Sequence, residues 1–157
     1  MNNIMIRKWN ERVDPNDTVF HLGDLCFKGG IEGGKLPATK YLEKLNGNKI
    51  FIRGNHDNNN SNKTNIENIS IFIGGFKILL MHRPLDIFRF REYINYHDFV
   101  FCGHVHEIWE IKLPEEYSHE NESNTIPLIN VGVDVWDFLP ISFEDIFRRY
   151  QKKIRKN

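Results

Sequence analysis

Short polar motifs follow four of the predicted strands, and they constrain the fold of this chain more than any other feature. The motifs are Gly23-Asp24, Gly54-Asn55-His56-Asp57, Met81-His82 and Gly103-His104-Val105-His106. Successive motifs are separated by 31, 27 and 22 residues, counted between Asp24, Asn55, His82 and His104, which is about one supersecondary unit each. Because open α/β sheets bind ligands at the carboxyl ends of their strands, we expect these side chains to converge on one crevice.

The residue types in these motifs favour a divalent metal site. A glycine precedes the polar residue in three motifs, which permits a sharp exit from the strand and a close approach of the backbone to a ligand. His104 and His106 are two residues apart, so in extended geometry both imidazoles project to the same side. One carboxylate, one amide oxygen and three imidazoles, without a thiolate, suit Mn, Fe, Zn or Ni.

Each motif taken alone has an ordinary structural explanation. A single histidine is usually a surface group or a satisfied core group, and a single Gly-Asp is a common turn. The combination of Gly-Asn-His-Asp and Gly-His-x-His in one short chain is what favours metal chemistry. A carboxylate can also bridge two ions about 3.5–4 Å apart, an arrangement used for in-line phosphoryl displacement.

The hydrophobic pattern predicts a mixed α/β chain with a partly antiparallel sheet. Strands are predicted at 18–22, 49–53, 69–73, 76–81, 99–102, 107–113 and 126–131, and helices at 3–12, 37–45, 84–93 and 142–153. The early order of helix, strand, helix, strand favours parallel pairing through crossover helices. Ile73-Gly74-Gly75-Phe76 is typical of a hairpin turn, and Ser142, three residues before Asp145, is typical of a helix N-terminus.

Length, charge and cysteine content exclude several classes of protein. A chain of 157 residues predicts one domain, 1–157. Equal numbers of basic and acidic residues, 21 each, argue against a globally basic nucleic-acid binder. Two cysteines are too few for a disulfide framework, which favours a cytoplasmic location. We expect no membrane span and no signal peptide, because no apolar run approaches the length of either.

The motifs resemble those of the calcineurin-like metallophosphoesterases, most closely the small phage and bacterial members. The family signature is Asp-x-His, Gly-Asp, Gly-Asn-His-Asp/Glu, a lone His and Gly-His-x-His. Four of these five blocks occur here in order, between residues 23 and 106, and Asn130-Val131-Gly132-Val133-Asp134 resembles the closing strand. The resemblance implies a metallo-dependent phosphatase fold, with two mixed β-sheets sandwiched between helices.

The resemblance also implies how the site residues divide between two divalent metal ions. The implied ligands are Asp24, Asn55, His82, His104 and His106. Asp24 would bridge both ions, His106 would belong to the first, and the other three ligands would complete the second. His56 would contact the substrate phosphate and protonate the leaving oxygen, with Asp57 orienting its imidazole. The nucleophile would be a metal-bound hydroxide.

The Asp-x-His block is absent from this chain. In the family it supplies two ligands of the first metal from the first central strand, so we expect that strand to be missing and only the second metal site to be intact. Amino-terminal shortening and natural loss both explain the absence; the helix-like start and the intact later blocks favour shortening. His21 is interpreted as a core or sheet-facing residue rather than as a replacement ligand.

The leading functional hypothesis is divalent-metal-dependent hydrolysis of a small phosphoester substrate. The alternative is a non-catalytic phosphate- or nucleotide-binding module that retains one metal. Nucleic-acid contact is disfavoured and would use the basic tail at 148–156. Cations at the end of a helix are more often exposed to solvent, where they interact favourably with the helix dipole. Arg53 and Arg83 flank the motifs, either as phosphate ligands or as surface ion-pair partners.

Overall fold

The computed structural model describes residues 2–25, 38–57, 64–84, 96–117 and 126–156. The helices are α1 (Asn2–Arg12), α2 (Ala38–Leu42) and α3 (Phe143–Ile154), with short 3-10 helices at Pro114–Glu116 and Val133–Val135. The strands are β1 (Thr18–His21), β2 (Asn48–Phe51), β3 (Asn68–Ile73), β4 (Phe76–Met81), β5 (Phe99–Cys102), β6 (Ile111–Lys112) and β7 (Leu128–Asn130). The helix predicted at 84–93 lies, apart from its first residue, outside the described residues.

The strands form two sheets whose parallel members end at the same levels. β1 and β2 pair in parallel, and the larger sheet has the order β3-β4-β5-β7-β6. Its central strands β4, β5 and β7 are parallel, whereas the outer strands β3 and β6 run antiparallel to their neighbours. Met81 lies opposite Cys102, and Cys102 opposite Asn130, so the three central strands end side by side. The predicted α/β class with mixed pairing is confirmed, and the mixed sheet is the larger one.

The larger sheet carries apolar side chains on both faces, as alternation along a strand requires. Ile78 and Leu80 of β4 face a core shared with Leu22, Ile52 and the α3 residue Ile146. The intervening Leu79 and Met81 face a second cluster with Val100, Cys102, Ile126 and Leu128. Full burial of a side chain of this size stabilises the fold by about 1.5–3 kcal/mol. The sheet is therefore a fixed platform for the residues that follow β4 and β5.

The Gly74-Gly75 turn and the start of α3 agree with the sequence predictions. Both glycines have positive φ, 59° and 86°, which is the backbone conformation of a tight hairpin turn. The Ser142 hydroxyl accepts a hydrogen bond from the Asp145 backbone N–H at 3.2 Å, which begins α3.

The strand predicted at 107–113 exists but is much shorter, since only Ile111 and Lys112 pair with β7. The buried Asn130 amide donates to the carbonyls of His106 at 2.6 Å and Trp109 at 2.7 Å. These bonds hold the residues before Ile111 in a loop. The alternation of hydrophobic residues cannot reveal such bonds, because their donor is distant in sequence.

Helix α3 is joined to the rest of the fold by ion pairs. Arg149 pairs with Glu110 and lies over the Trp136 ring at 4.7 Å, and Lys153 pairs with Glu116 at 2.6 Å. Both cations belong to the basic C-terminal stretch, so two of its charges are already paired with the carboxylates of Glu110 and Glu116. No helix in the described parts of the chain is long and apolar enough to cross a membrane.

Candidate metal centre

The loops that follow β1 and β2 are tied to each other by reciprocal hydrogen bonds. The buried Asp57 carboxylate accepts from the backbone N–H groups of Asp24 at 2.8 Å and Gly54 at 2.7 Å. In return, the Asp24 carboxylate accepts from the backbone N–H of His56 at 2.8 Å. Hydrogen bonds to a carboxylate are stronger than those between neutral groups. The two motifs therefore form one rigid unit.

Glycine is required where these two loops meet. A Cβ on Gly23, whose φ is +97°, would lie 2.6 Å from the Gly54 backbone and 2.7 Å from His82 Nδ1. A Cβ on Gly54 would overlap the carboxylate and backbone nitrogen of Asp24. Asp24 itself has φ +54°, a left-handed conformation that is rare outside glycine. The loops thus approach as closely as backbones can, and the contact places the Asp24 carboxylate.

His82 is buried directly after β4 and aims one ring nitrogen at two oxygens. Its Nδ1 lies 2.7 Å from the Leu22 carbonyl, which can only accept, so Nδ1 carries the hydrogen. In the neutral ring the other nitrogen, Nε2, carries a lone pair, and it lies 2.9 Å from Asn55 Oδ1 and 3.2 Å from Asp24 Oδ2. Three acceptor atoms that face one point can share a cation placed between them. This donor set therefore fits a divalent metal ion.

His104 completes the group from the loop after β5. Its ligating nitrogen, a carboxylate oxygen of Asp24 and a ring nitrogen of His82 all lie within 4.8 Å of one another. Burial lowers the pKa of His104, and the neighbouring His82 and Arg83 lower it further. A lowered pKa keeps the imidazole neutral near pH 7, and only the neutral form can bind a metal.

His106 is not a member of the group in which the ligand atoms of Asp24, His82 and His104 lie within 4.8 Å of one another. Its Nδ1 is 3.0 Å from Asp134 Oδ2, and with Glu107 these two residues form a second, exposed group whose ligand atoms lie within 4.8 Å of one another. His106 has φ +47° and His104 has φ +69°, so both histidines of the motif are in the left-handed region. Strained backbone of this kind is typical of functional sites.

The remaining residues of interest lie near the centre. His56 is exposed beside the Asp24 carboxylate, and the predicted contact between its ring and Asp57 stays a prediction. Arg53 pairs with Glu67, so of the two roles predicted from the sequence, phosphate ligand or surface ion-pair partner, the structure shows the ion pair. His21 packs against Phe51 with ring centroids 5.4 Å apart, and its buried Nδ1 has no hydrogen-bond partner among the described residues.

Two residues with a positioning role were not among the predicted site residues. Asn130 is fully buried; besides holding the His106 carbonyl, its Oδ1 accepts from the Gly132 N–H at 2.9 Å. Asp134 orients His106 through the contact described above. Both occur in the segment Asn130-Val131-Gly132-Val133-Asp134, which the sequence marked only as a closing strand.

The model of the calcineurin-like phosphoesterase superfamily domain matches residues 2–134 of this chain. The chain belongs to this superfamily. An uncharacterized protein of Methanocaldococcus jannaschii is 32% identical over 152 residues, which cover 97% of this chain and 76% of the relative. A solved structure of a protein of unknown function from Aquifex aeolicus has a TM-score of 0.64 at 24% identity, covering 94% of this chain and 83% of that one. This likeness shows that the two chains share a fold.

We expect Gly54→Ala to displace Asp24 and to weaken divalent metal binding about tenfold or more, because the added methyl overlaps the carboxylate. Isothermal titration with Mn²⁺ measures the affinity. Gly103→Ala is the matched control, since its nearest neighbour would lie 3.6 Å away in ordinary contact. Equal Mn²⁺ affinities for the two variants would contradict the close approach of the loops.

The metal-free protein should become less stable as the pH drops below 6.5, the ordinary pKa of histidine, and His21 contributes to this loss. Burial lowers the pKa of His21, although the Asp57 carboxylate acts in the opposite direction. The unfolded chain therefore binds this proton first, and the free energy of unfolding is lost as pH falls from 6.5 towards the lowered pKa, at up to about 1.4 kcal/mol per pH unit.

Replacing His21 with Phe removes this contribution and preserves an aromatic contact with Phe51. Urea unfolding with a chelator present, repeated from about pH 7 to pH 5, should give a shallower pH dependence for His21→Phe than for the unmodified chain. Superimposable profiles would show that His21 does not titrate differently on unfolding.

Proposed function

We propose that this chain is a divalent-metal-dependent phosphoester hydrolase, with a cation held by Asp24, Asn55, His82 and His104. The observation that carries the proposal is the orientation of His82, whose Nε2 lone pair faces Asn55 Oδ1 and Asp24 Oδ2. Membership of the calcineurin-like phosphoesterase superfamily supports the same assignment. The mixed oxygen and nitrogen donors suit Mn, Fe, Zn and Ni.

The chain's own residues have separate tasks in this proposal. A bound divalent cation would supply Lewis-acid activation of the phosphoryl group and of water. His56 lies on the exposed turn beside Asp24, and its backbone is fixed by the Asp24 carboxylate. We assign it the transfer of a proton to the leaving oxygen. Asp57 acts through the backbone by keeping the Asp24 and Gly54 loops together.

A small substrate is favoured over a nucleic acid. The net charge of the chain is zero, and a polyanion is held mainly by unpaired cations. In the basic C-terminal stretch, Arg149 is paired with Glu110 and Lys153 with Glu116. Both pairs would have to break before these cations could bind phosphates of a polymer.

The second candidate function is a non-catalytic phosphate- or nucleotide-binding module that holds one metal. The observation that favours it is that His106 is grouped with Glu107 and Asp134 and not with Asp24, His82 and His104. One cation in that group would bind a phosphate without forming the two-ion clamp used for in-line displacement. Turnover distinguishes the two candidates.

We expect His56→Ala to lower kcat about 10²–10⁴-fold while leaving Mn²⁺ affinity unchanged, since a general acid does not bind the metal. The loss should be larger for phenyl esters than for p-nitrophenyl esters, because the poorer leaving group depends more on protonation. Steady-state hydrolysis of the mono- and diesters of both phenols, with added Mn²⁺, measures this difference.

Asn55→Ala and Asn48→Ala form a matched pair for the same assay. Asn55 is assigned to the metal, so its loss should raise the Mn²⁺ concentration needed for half-maximal activity about tenfold or more. Asn48 is exposed at the start of β2, and its variant should behave as the unmodified chain does. A chain that binds Mn²⁺ but hydrolyses none of the esters faster than His56→Ala would support the non-catalytic module.

A further inference from the structure

We propose that Arg83 binds the substrate phosphate and that the preferred substrate is a phosphomonoester. The inference rests on the proposed function, because it adds a contact to the same centre and names the substrate class that this contact selects. Arg83 directly follows His82, one of the residues assigned to the cation. The sequence left two roles open for Arg53 and Arg83, phosphate ligand or surface ion-pair partner, and the structure separates the two arginines.

Ion pairing distinguishes Arg83 from the other arginine that flanks a motif. Arg53 pairs with Glu67, so its charge already has a partner. Four arginines of α1 and α3 also pair with acids, namely Arg7, Arg12, Arg148 and Arg149. Arg83 is exposed, and no carboxylate in the described parts of the chain pairs with it. Because a guanidinium stays charged at any ordinary pH, an exposed one without an acid partner is available to bind an anion.

The charge of Arg83 acts on the candidate metal centre. Burial is the main cause of the lowered pKa of His104, and the neighbouring His82 and Arg83 lower that pKa further. Salt screens the charge of an exposed group over about 8–10 Å, so an effect of this kind requires the guanidinium to lie close to the His104 ring. The ring centroids of His82 and His104 are 5.0 Å apart. An anion bound at the centre would therefore lie beside Arg83.

The backbone of Arg83 is fixed on both sides. The preceding residue, His82, is buried, and its carbonyl accepts from the Gly103 N–H at 3.1 Å, which joins the loops that follow β4 and β5. The following residue, Pro84, is buried and its ring fixes φ. A side chain on a fixed backbone loses less conformational entropy when it binds a ligand. This placement favours a specific contact over a general attraction for anions.

The charge of the centre favours a phosphate with two negative charges. Among the residues assigned to the cation, Asp24 alone is charged, so a divalent cation there would keep one net positive charge, and Arg83 supplies a second. A phosphomonoester carries about two negative charges near pH 7 on three non-bridging oxygens, whereas a diester carries one on two. A guanidinium binds two oxygens of a phosphate at once, which leaves the third oxygen of a monoester for the cation.

Hydrolysis of p-nitrophenyl phosphate and of bis(p-nitrophenyl) phosphate by the Mn²⁺-loaded chain tests the substrate class. We expect the unmodified chain to prefer the monoester. Arg83→Ala should lower kcat/KM for the monoester about ten- to a hundredfold, mainly through a higher KM, because it removes hydrogen bonds to a charged group. The loss for the diester should be smaller. Arg83→Lys keeps the charge without the planar fork, so it should recover part of the loss.

Binding of inorganic phosphate gives a second readout that needs no turnover. In an isothermal titration of phosphate into the Mn²⁺-loaded chain, Arg83→Ala should weaken binding about tenfold or more while the Mn²⁺ affinity stays unchanged. Arg155→Ala is the matched control. Arg155 is exposed at the end of α3 and pairs with no carboxylate in the described residues, so its variant should behave as the unmodified chain does in both assays.

Phosphate binding that Arg83→Ala leaves unchanged would overturn the inference, and so would equal losses of kcat/KM for the two esters, since these indicate a general effect on the centre. A preference of the unmodified chain for the diester would overturn the substrate class. Phosphate binding that depends on Arg83, in a chain that hydrolyses neither ester, would support the contact and contradict the proposed hydrolysis.

Discussion

A neutral imidazole has one N–H, and in His82 the Leu22 carbonyl takes it at 2.7 Å. This bond joins β4 of the larger sheet to the residue that follows β1 of the smaller sheet. It fixes the ring's tautomer and leaves Nε2 with a lone pair directed at Asp24 and Asn55. The whole candidate centre depends on it, because only this orientation turns a buried histidine into a metal ligand.

The fold supports that orientation at the expense of local backbone strain. Asp24, His104 and His106 all have positive φ, and a non-glycine residue in such a conformation costs of order 1–3 kcal/mol. Buried polar side chains hold two of the strained segments: Asp57 binds the backbone at Asp24, and Asn130 binds it at His106. Removing such a buried partner leaves backbone groups unsatisfied, which costs about 1–3 kcal/mol per group. The strained backbone persists because buried hydrogen bonds from Asp57 and Asn130 hold it in place.

The structure brings Asp24, Asn55, His82 and His104 together and leaves His106 outside that group, and the motifs did not predict how the chain holds them. Alternation and turn chemistry located β4, β5 and the Gly74-Gly75 turn, because these signals are local. The strand predicted at 107–113 is limited to Ile111 and Lys112, because the amide of Asn130, distant in sequence, binds the carbonyls of His106 and Trp109. The bond from the Asp24 N–H to Asp57 and the contact between His106 and Asp134 were not predicted for the same reason, since both join residues distant in sequence.

A crystal structure of the Mn²⁺-treated protein, with anomalous data collected at the manganese edge, tests the central claim most directly. We expect an anomalous peak within bonding distance of His82 Nε2, Asp24 and His104, with His82 Nδ1 still bonded to the Leu22 carbonyl. A structure with no peak there, in which the Asn55 amide nitrogen instead donates to His82 Nε2, would contradict it.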